Sequence, residues 1–231
     1  MKITGYAFPW DFVGDDAALE RLIRWRPDTV ALAANYHAAR LATPLHPHRR
    51  ILEIPESALY LPLRDEAWEG HLLRPRAPEW FEHPEAWSET ASALYAEGIA
   101  TDAWVVLCHD DTLGYRFPQF CTRNAFGDLY PHALCPAWPD VRRYARTLVE
   151  EALRVDSVRG VVLEAAGPIG VEHSTLHDKI EFATWSPVDL ALLSLCFCDA
   201  CRERMTGAGL DPEDLSSRVR AGVGRGVDHL E

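Results

Sequence analysis

Gly160-Val161-Val162-Leu163-Glu164 is the stretch that decides the fold. A short apolar run, bounded by Gly and ending in a carboxylate, reads as the end of a buried strand that delivers an ionisable group. Working back, the same arrangement occurs three more times. Ile3 to Phe8 is rich in β-formers and is broken by Pro9 and Gly14. Thr29 to Ala34 is a continuous apolar run followed by Asn35, Tyr36 and His37. Asp102 to Leu107 delivers Cys108, His109, Asp110 and Asp111. Helical patterns separate these runs. Asp15-Asp16 offers an N-cap for a helix with Leu19, Leu22, Ile23 and Trp25 at helical spacing. Pro84 opens a helix to Glu97 that Gly98 stops, and Pro139-Asp140 opens one to Leu153 with Val141, Tyr144, Leu148 and Val149 in register.

Strand and helix alternating four times predict an α/β chain with a parallel sheet under helical cover. Polar side chains gather after the strands. That is the end where (β/α)8 barrels and open doubly wound sheets hold their chemistry. No Gly-x-Gly-x-x-Gly follows the first strand and no Walker motif occurs, so nothing supports a nucleotide site. Two stretches read as irregular. Ala42 to Pro84 is a long excursion in which Arg50–Ile54 and Ser57–Leu61 form a small hairpin. Thr112 to Pro136 is a second long loop. Further helices are expected over Pro187–Leu195, over Asp199–Met205 and from Asp211-Pro212 onward.

The 231 residues are 48% hydrophobic and 25% charged, with eight Trp, which is the composition of a chain that buries a substantial core. A formal charge of −12 argues against nucleic acid or anionic lipid as partner, since phosphate contacts need clustered Lys and Arg. No apolar run is long enough to span a membrane, and the first residues lack the apolar core of a signal peptide. The expected location is the cytoplasm, where the six Cys stay reduced and clustered thiols point to metal before disulfides. The final Leu230-Glu231 resembles a tag remnant, which points to a longer parent chain.

Cys196-x-Cys198-x-x-Cys201 places three thiols in six positions. Tetrahedral zinc takes about four such ligands, so three local thiolates and one distant group would tie a loop to the scaffold. The fourth could be Cys108, Cys121, Cys135 or a His, and position favours Cys135, just ahead of the helix that leads into the fourth strand. The alternatives are plain buried thiols, or a disulfide if the protein is secreted.

The segment Leu134-Cys135-Pro136-Ala137-Trp138-Pro139-Asp140-Val141-Arg142-Arg143-Tyr144 resembles the Cys-Pro-x-x-Pro-x-x-Arg motif of the zinc-containing β-galactosidase-like (β/α)8 glycoside hydrolases. The order Cys135, Glu164, then Cys196, Cys198 and Cys201 also follows that family. The resemblance covers roughly Ala133 to Arg204. It implies that Glu164 is the general acid/base and that Cys135, Cys196, Cys198 and Cys201 hold a structural zinc. It implies a TIM-barrel-like domain over residues 1–231, an incomplete barrel of about four βα units and the N-terminal part of a longer one. The chain departs from the family at Leu163, where Asn usually precedes the Glu. The family's nucleophile would come from a seventh strand, beyond the four read here.

Other strand-end and loop groups are assigned to substrate binding: Tyr36, His37, His109, Asp110, His173, His177 and Asp178, with Trp10 and Trp185 as aromatic faces. Asp110, Asp111 or Glu172 could be the second carboxylate, which retaining glycosidases hold about 5–5.5 Å from the first. The reading is therefore a glycosidase acting on a carbohydrate, completed by a homo-oligomer or by the remainder of a longer chain. A non-catalytic carbohydrate-binding or assembly module is the second reading. A metal-dependent hydrolase using His173, His177 and Asp178 is the third.

Overall fold

The computed structural model describes residues 1–173 and 185–224. In chain order the elements are β1 (Thr4–Ala7), α1 (Ala18–Arg24), β2 (Thr29–Ala33), β3 (Asn35–Tyr36), β4 (Ala39–Ala42), β5 (Ile51–Ile54), β6 (Ala58–Leu59), α2 (Ala86–Ala96), β7 (Ala100–Val106) and α3 (Asp111–Arg116). There follow β8 (Cys121–Arg123), β9 (Leu129–Leu134), α4 (Pro139–Leu153), β10 (Val158–Glu164), α5 (Pro187–Leu193), α6 (Asp199–Gly207) and α7 (Pro212–Gly222). Short 3-10 turns lie at Pro9–Asp11, Asp65–Trp68 and Pro118–Phe120. The chain divides into two compact units, Met1–Leu107 with Arg143–Ala166, and Cys108–Arg142 with Gly167–Glu231.

The first unit is a mixed α/β body built on a parallel four-stranded sheet in the order β1-β2-β7-β10. These are the four strands expected from the sequence, and α1, α2 and α4 connect them in turn. Strand order follows chain order, with no reversal. β2 is buried along its whole length, as its unbroken apolar run requires. Alternation along the strands sorts the side chains onto two faces. Tyr6 pairs with Ala31, Ala33 with Trp104, and Trp104 with Val162, so these residues share one face with Glu164. The opposite face carries Val30, Leu32, Ala103 and Val105. Buried Leu22 of α1, Ala91 and Leu94 of α2, and Tyr144, Leu148 and Ala152 of α4 supply the helical cover. Each such large side chain contributes roughly 1.5–3 kcal/mol by leaving water.

Buried Asn35 fastens the C-terminal end of β2 to β7. Its amide nitrogen donates to the Val106 carbonyl at 2.7 Å, and its amide oxygen accepts the Val106 N–H at 2.9 Å. The excursion after β3 is ordered differently from the sequence expectation. The runs expected to pair with each other do form strands, but β5 pairs antiparallel with β4 and β6 with β3. Pro55, which has no N–H, separates them, and each run finds an earlier strand with free backbone groups. The first helix starts after Ala17, not at the Asp pair. Asp15 accepts the Ala17 N–H and forms an ion pair with Arg21. Trp25, expected on the apolar stripe, is exposed.

In the second unit the loop expected over Thr112–Pro136 is α3 followed by an antiparallel hairpin, β8–β9. Asp110 caps α3, its carboxylate accepting the Leu113 N–H at 2.8 Å. Buried Asn124 closes the hairpin turn. Its oxygen accepts the Phe126 and Asp128 N–H groups, and its nitrogen donates to the Asp128 carboxylate and the Tyr130 hydroxyl. That hydroxyl in turn donates to the Leu193 carbonyl at 2.8 Å. Phe197, Ala125 and Val219 form a small core beside Leu192, Met205 and Leu215.

Candidate active site and metal centre

Glu164 ends β10, and its carboxylate Oε2 accepts the indole N–H of Trp104 at 2.6 Å. The Leu107 N–H donates to the Glu164 carbonyl at 3.0 Å, which continues the β7–β10 ladder past the last paired residues. The next residue, Ala165, has φ +50°. A non-glycine residue rarely takes this left-handed conformation, at a cost of roughly 1–2 kcal/mol. The chain therefore turns sharply at the residue after the carboxylate.

Aromatic rings surround this carboxylate's partner. The Trp104 ring meets Tyr6 edge-on at 5.2 Å, Tyr36 edge-on at 5.2 Å and Phe8 at 5.2 Å. Ala31 and Ala33 beneath them leave room for the large rings. His37 stacks on Tyr36 with ring centroids 4.3 Å apart. Burial, and secondarily the charge of Glu164, push the Tyr36 phenol up to about 12, so it stays a neutral donor throughout the physiological range. Tyr6 is 60% exposed and Phe8, Tyr36, Val162 and Glu164 are half-buried, so solvent reaches part of this face of the sheet. Trp10 is fully buried, stacked on Phe8 at 4.6 Å and packed edge-on to Tyr60. It lies under the aromatic layer and presents no face to solvent. Leu163 lies on the opposite side of the sheet from Glu164, by strand alternation. A cleft of about 230 Å³ between α1 and the 42–46 loop, lined by Tyr6, Trp25 and Leu45 among others, includes neither Trp104 nor Glu164.

In the second unit His109 is buried and shares a hydrogen bond with His173, Nδ1 to Nε2, at 2.9 Å. Asp111 lies on the other side of the His109 ring, 3.9 Å from Nε2. His132, which the sequence reading did not single out, packs edge-on to His109 with ring centroids 5.8 Å apart. Asp110 serves as the helix cap described above. Glu172 is exposed and Trp185 half-buried. His177 and Asp178 lie outside the described residues.

The four cysteines expected to act together do meet. The Sγ atoms of Cys135, Cys196, Cys198 and Cys201 all lie within 4.8 Å of one another. All six cysteines are free. Cys135 and Cys201 sit 3.5 Å apart, sulfur to sulfur. Sulfurs at about 2.3 Å from a shared tetrahedral ion would be roughly 3.8 Å apart, so the spacing fits a metal centre. The backbone N–H groups of Arg123 and Cys198 point at Cys196 Sγ, at 3.5 and 3.4 Å. Hydrogen bonds shared among the four thiols hold Cys196 and Cys198 below the usual thiol range and push Cys135 and Cys201 above it. Arg142 braces the approach to α4 by donating to the Pro136 and Ala137 carbonyls at 2.8 and 2.6 Å. That bond is the physical content of the Cys-Pro-x-x-Pro-x-x-Arg spacing. The four thiols could therefore hold a metal ion. The other two cysteines stand apart. Burial pushes Cys108 up to about 11 and Cys121 up to about 12, and Cys121 faces the Gly114 carbonyl at 3.5 Å.

Among solved structures, the chain is similar to α-L-fucosidase isoenzyme 2 from Paenibacillus thiaminolyticus, with a TM-score of 0.53 and 16% identity over 96% of this chain. The likeness is one of fold. The chain spans 29% of the fucosidase's length. A hypothetical protein from Ruminiclostridium thermocellum ATCC 27405 gives a TM-score of 0.47 at 11% identity, over 76% of this chain and 84% of that one. No family model matches the sequence, and no curated protein does. Among the described residues no helix is long and apolar enough to cross a membrane.

The sequence reading missed Trp104, Phe8 and His132. Trp104 gave no local signal, since the alanines that leave room for its ring, Ala31 and Ala33, lie on another strand. Its partner Glu164 lies 60 residues away in the chain.

Proposed function

We propose that the chain is the first half of a (β/α)8 glycoside hydrolase, with Glu164 as general acid/base. The observation that carries this is the carboxylate at the end of the fourth parallel strand, held by an indole N–H on a partly solvent-exposed face lined with aromatic rings. Sugars offer apolar C–H faces to such rings and hydroxyls to Tyr36 and His37. Strand order in register with chain order is what a barrel requires, whereas a doubly wound sheet reverses its order. Four strands do not close a barrel. The remaining strands would come from a second copy or from the rest of a longer chain.

The test is a panel of nitrophenyl glycosides, α-L-fucoside included. Glu164→Gln should reduce turnover by on the order of 10²–10⁴ while leaving the fold intact. Sugar binding without turnover in the wild-type chain would favour the second reading, a carbohydrate-binding module. The chain's span of under a third of the fucosidase keeps that reading in view.

The four-cysteine centre is proposed to hold zinc in a structural role. Four sulfur donors and no open position suit zinc used as a clasp, not as a catalyst. Elemental analysis should find one zinc per chain in the wild type and none in Cys198→Ser. A chain free of metal when purified without chelator would sink the assignment.

A further inference from the structure

We infer that Trp104 is a positioning residue that aims Glu164. The inference rests on the acid/base reading of Glu164 and adds to it the group that sets the carboxyl's orientation. The bond from indole Nε1–H to Oε2, at 2.6 Å, binds one oxygen of the pair. Oε1 is then the atom left to face a substrate.

The donor is itself fixed. Trp104 is buried, and its ring is walled by Tyr6, Phe8 and Tyr36 at 5.2 Å each. Its backbone is held from both sides. The Trp104 carbonyl accepts the Ala34 N–H at 2.8 Å, and the residue is paired with Ala33 on β2 and Val162 on β10. A ring so enclosed cannot change rotamer without displacing three others. Glu164 is held from its own side by the Leu107 bond and by the left-handed turn at Ala165. Positioning of this kind fixes a reacting atom within a few tenths of an ångström.

The chemistry gives the indole a second effect. In the acid step the proton on Oε1 moves to the glycosidic oxygen. The bond from the anomeric carbon to that oxygen breaks, and its electron pair leaves with the departing alcohol. Glu164 becomes a carboxylate; a water then bonds through its oxygen to the anomeric carbon and gives a proton back to Glu164, so the net products are a hemiacetal sugar and the free alcohol. A hydrogen bond to an ionised acceptor is roughly twice as strong as one to a neutral acceptor. The Trp104 bond therefore strengthens as the proton departs, which favours the transition state over the bound substrate.

Trp104→Phe keeps a ring and removes the N–H. Replacing Trp104 with benzothienylalanine removes it at nearly constant shape, should the Phe variant fold poorly. Either change should lower kcat on a phenyl glycoside, whose leaving group needs the proton, by roughly 10–100-fold, with KM within about twofold. Turnover of a dinitrophenyl glycoside, which departs without protonation, should change by less than about threefold. In a ¹⁵N-labelled chain the Trp104 indole proton should move upfield in Glu164→Gln. Equal losses on both glycosides would show a general structural role and overturn the inference, as would an indole proton that does not move. A wild-type chain inactive on every glycoside overturns the glycosidase reading instead, and the two failures are told apart by the indole signal.

Discussion

Ala165, like Arg26, is a non-glycine residue in the left-handed region. An alanine held at φ +50° immediately after Glu164 keeps a strain that glycine would relieve. Ala165→Gly should stabilise the chain by up to about 1 kcal/mol, because the left-handed penalty of roughly 1–2 kcal/mol exceeds the backbone entropy that glycine loses. The same change frees the Glu164 backbone, so turnover should fall as stability rises. Urea unfolding and glycosidase assays on one preparation measure both. At this scale the sequence was readable where chemistry and local pattern coincide. Glu164 stood out as a strand-end carboxylate because an apolar run ends on it. Three clustered cysteines announced their site, and the fourth was found by its place before α4. Trp104 was hidden because its role comes from a partner 60 residues downstream. Asp110, read from the sequence as a substrate ligand, caps α3, and both roles call for a carboxylate at the end of a strand.

At the scale of elements, α3 shows local preference yielding to packing. Alanine is ordinarily the better helix residue by about 1 kcal/mol. At Gly114 it would be the worse one. A Cβ there would overlap the Pro131 carbonyl of β9, and backbone on either side must give way. Gly114→Ala should therefore cost about 3 kcal/mol, read as a lowered denaturation midpoint. A neutral or stabilising result would mean that α3 and β9 are not packed this closely. The four parallel strands were legible because each is an apolar run with turn residues at both ends. The β8–β9 hairpin was not, because Pro131 sits inside one strand and a register shift after Cys121 breaks the alternation in the other. The runs around Pro55 were seen as strands but matched to the wrong partners, because pairing depends on which earlier strands still have free backbone groups.

At the scale of the molecule, among the described residues β1 and β10 each pair on one side only within the four-stranded sheet. Leu163 on β10 is 48% exposed. Free parallel edges invite another strand. We propose that a second copy supplies it, with β10 of each chain against β1 of the other, which keeps every pairing parallel. Light scattering after size exclusion should give twice the chain mass. At −12 per chain, association should strengthen as salt screens the repulsion between copies. Leu163→Lys on this edge should return the chain to a monomer. A monomer in the wild type at all salt concentrations would leave closure to further strands of the same polypeptide. The sequence showed the strand–helix rhythm of the parallel sheet, but it carries no sign of which edge a partner would meet.

The chain-ordered sheet also dictates how the protein can be made. Val30 of β2 needs only β1 behind it, but Ala100 must find Thr29 across the whole β3–α2 excursion, and Val161 must find Ala103 across α3, the hairpin and α4. Closing loops of that length is slow, and each waiting edge is sticky. A chain emerging from the ribosome would add its strands one at a time, always at the same growing edge. The carboxylate at the end of β10 is then the last piece of the sheet to arrive, so its surroundings cannot assemble before the other three strands are in place.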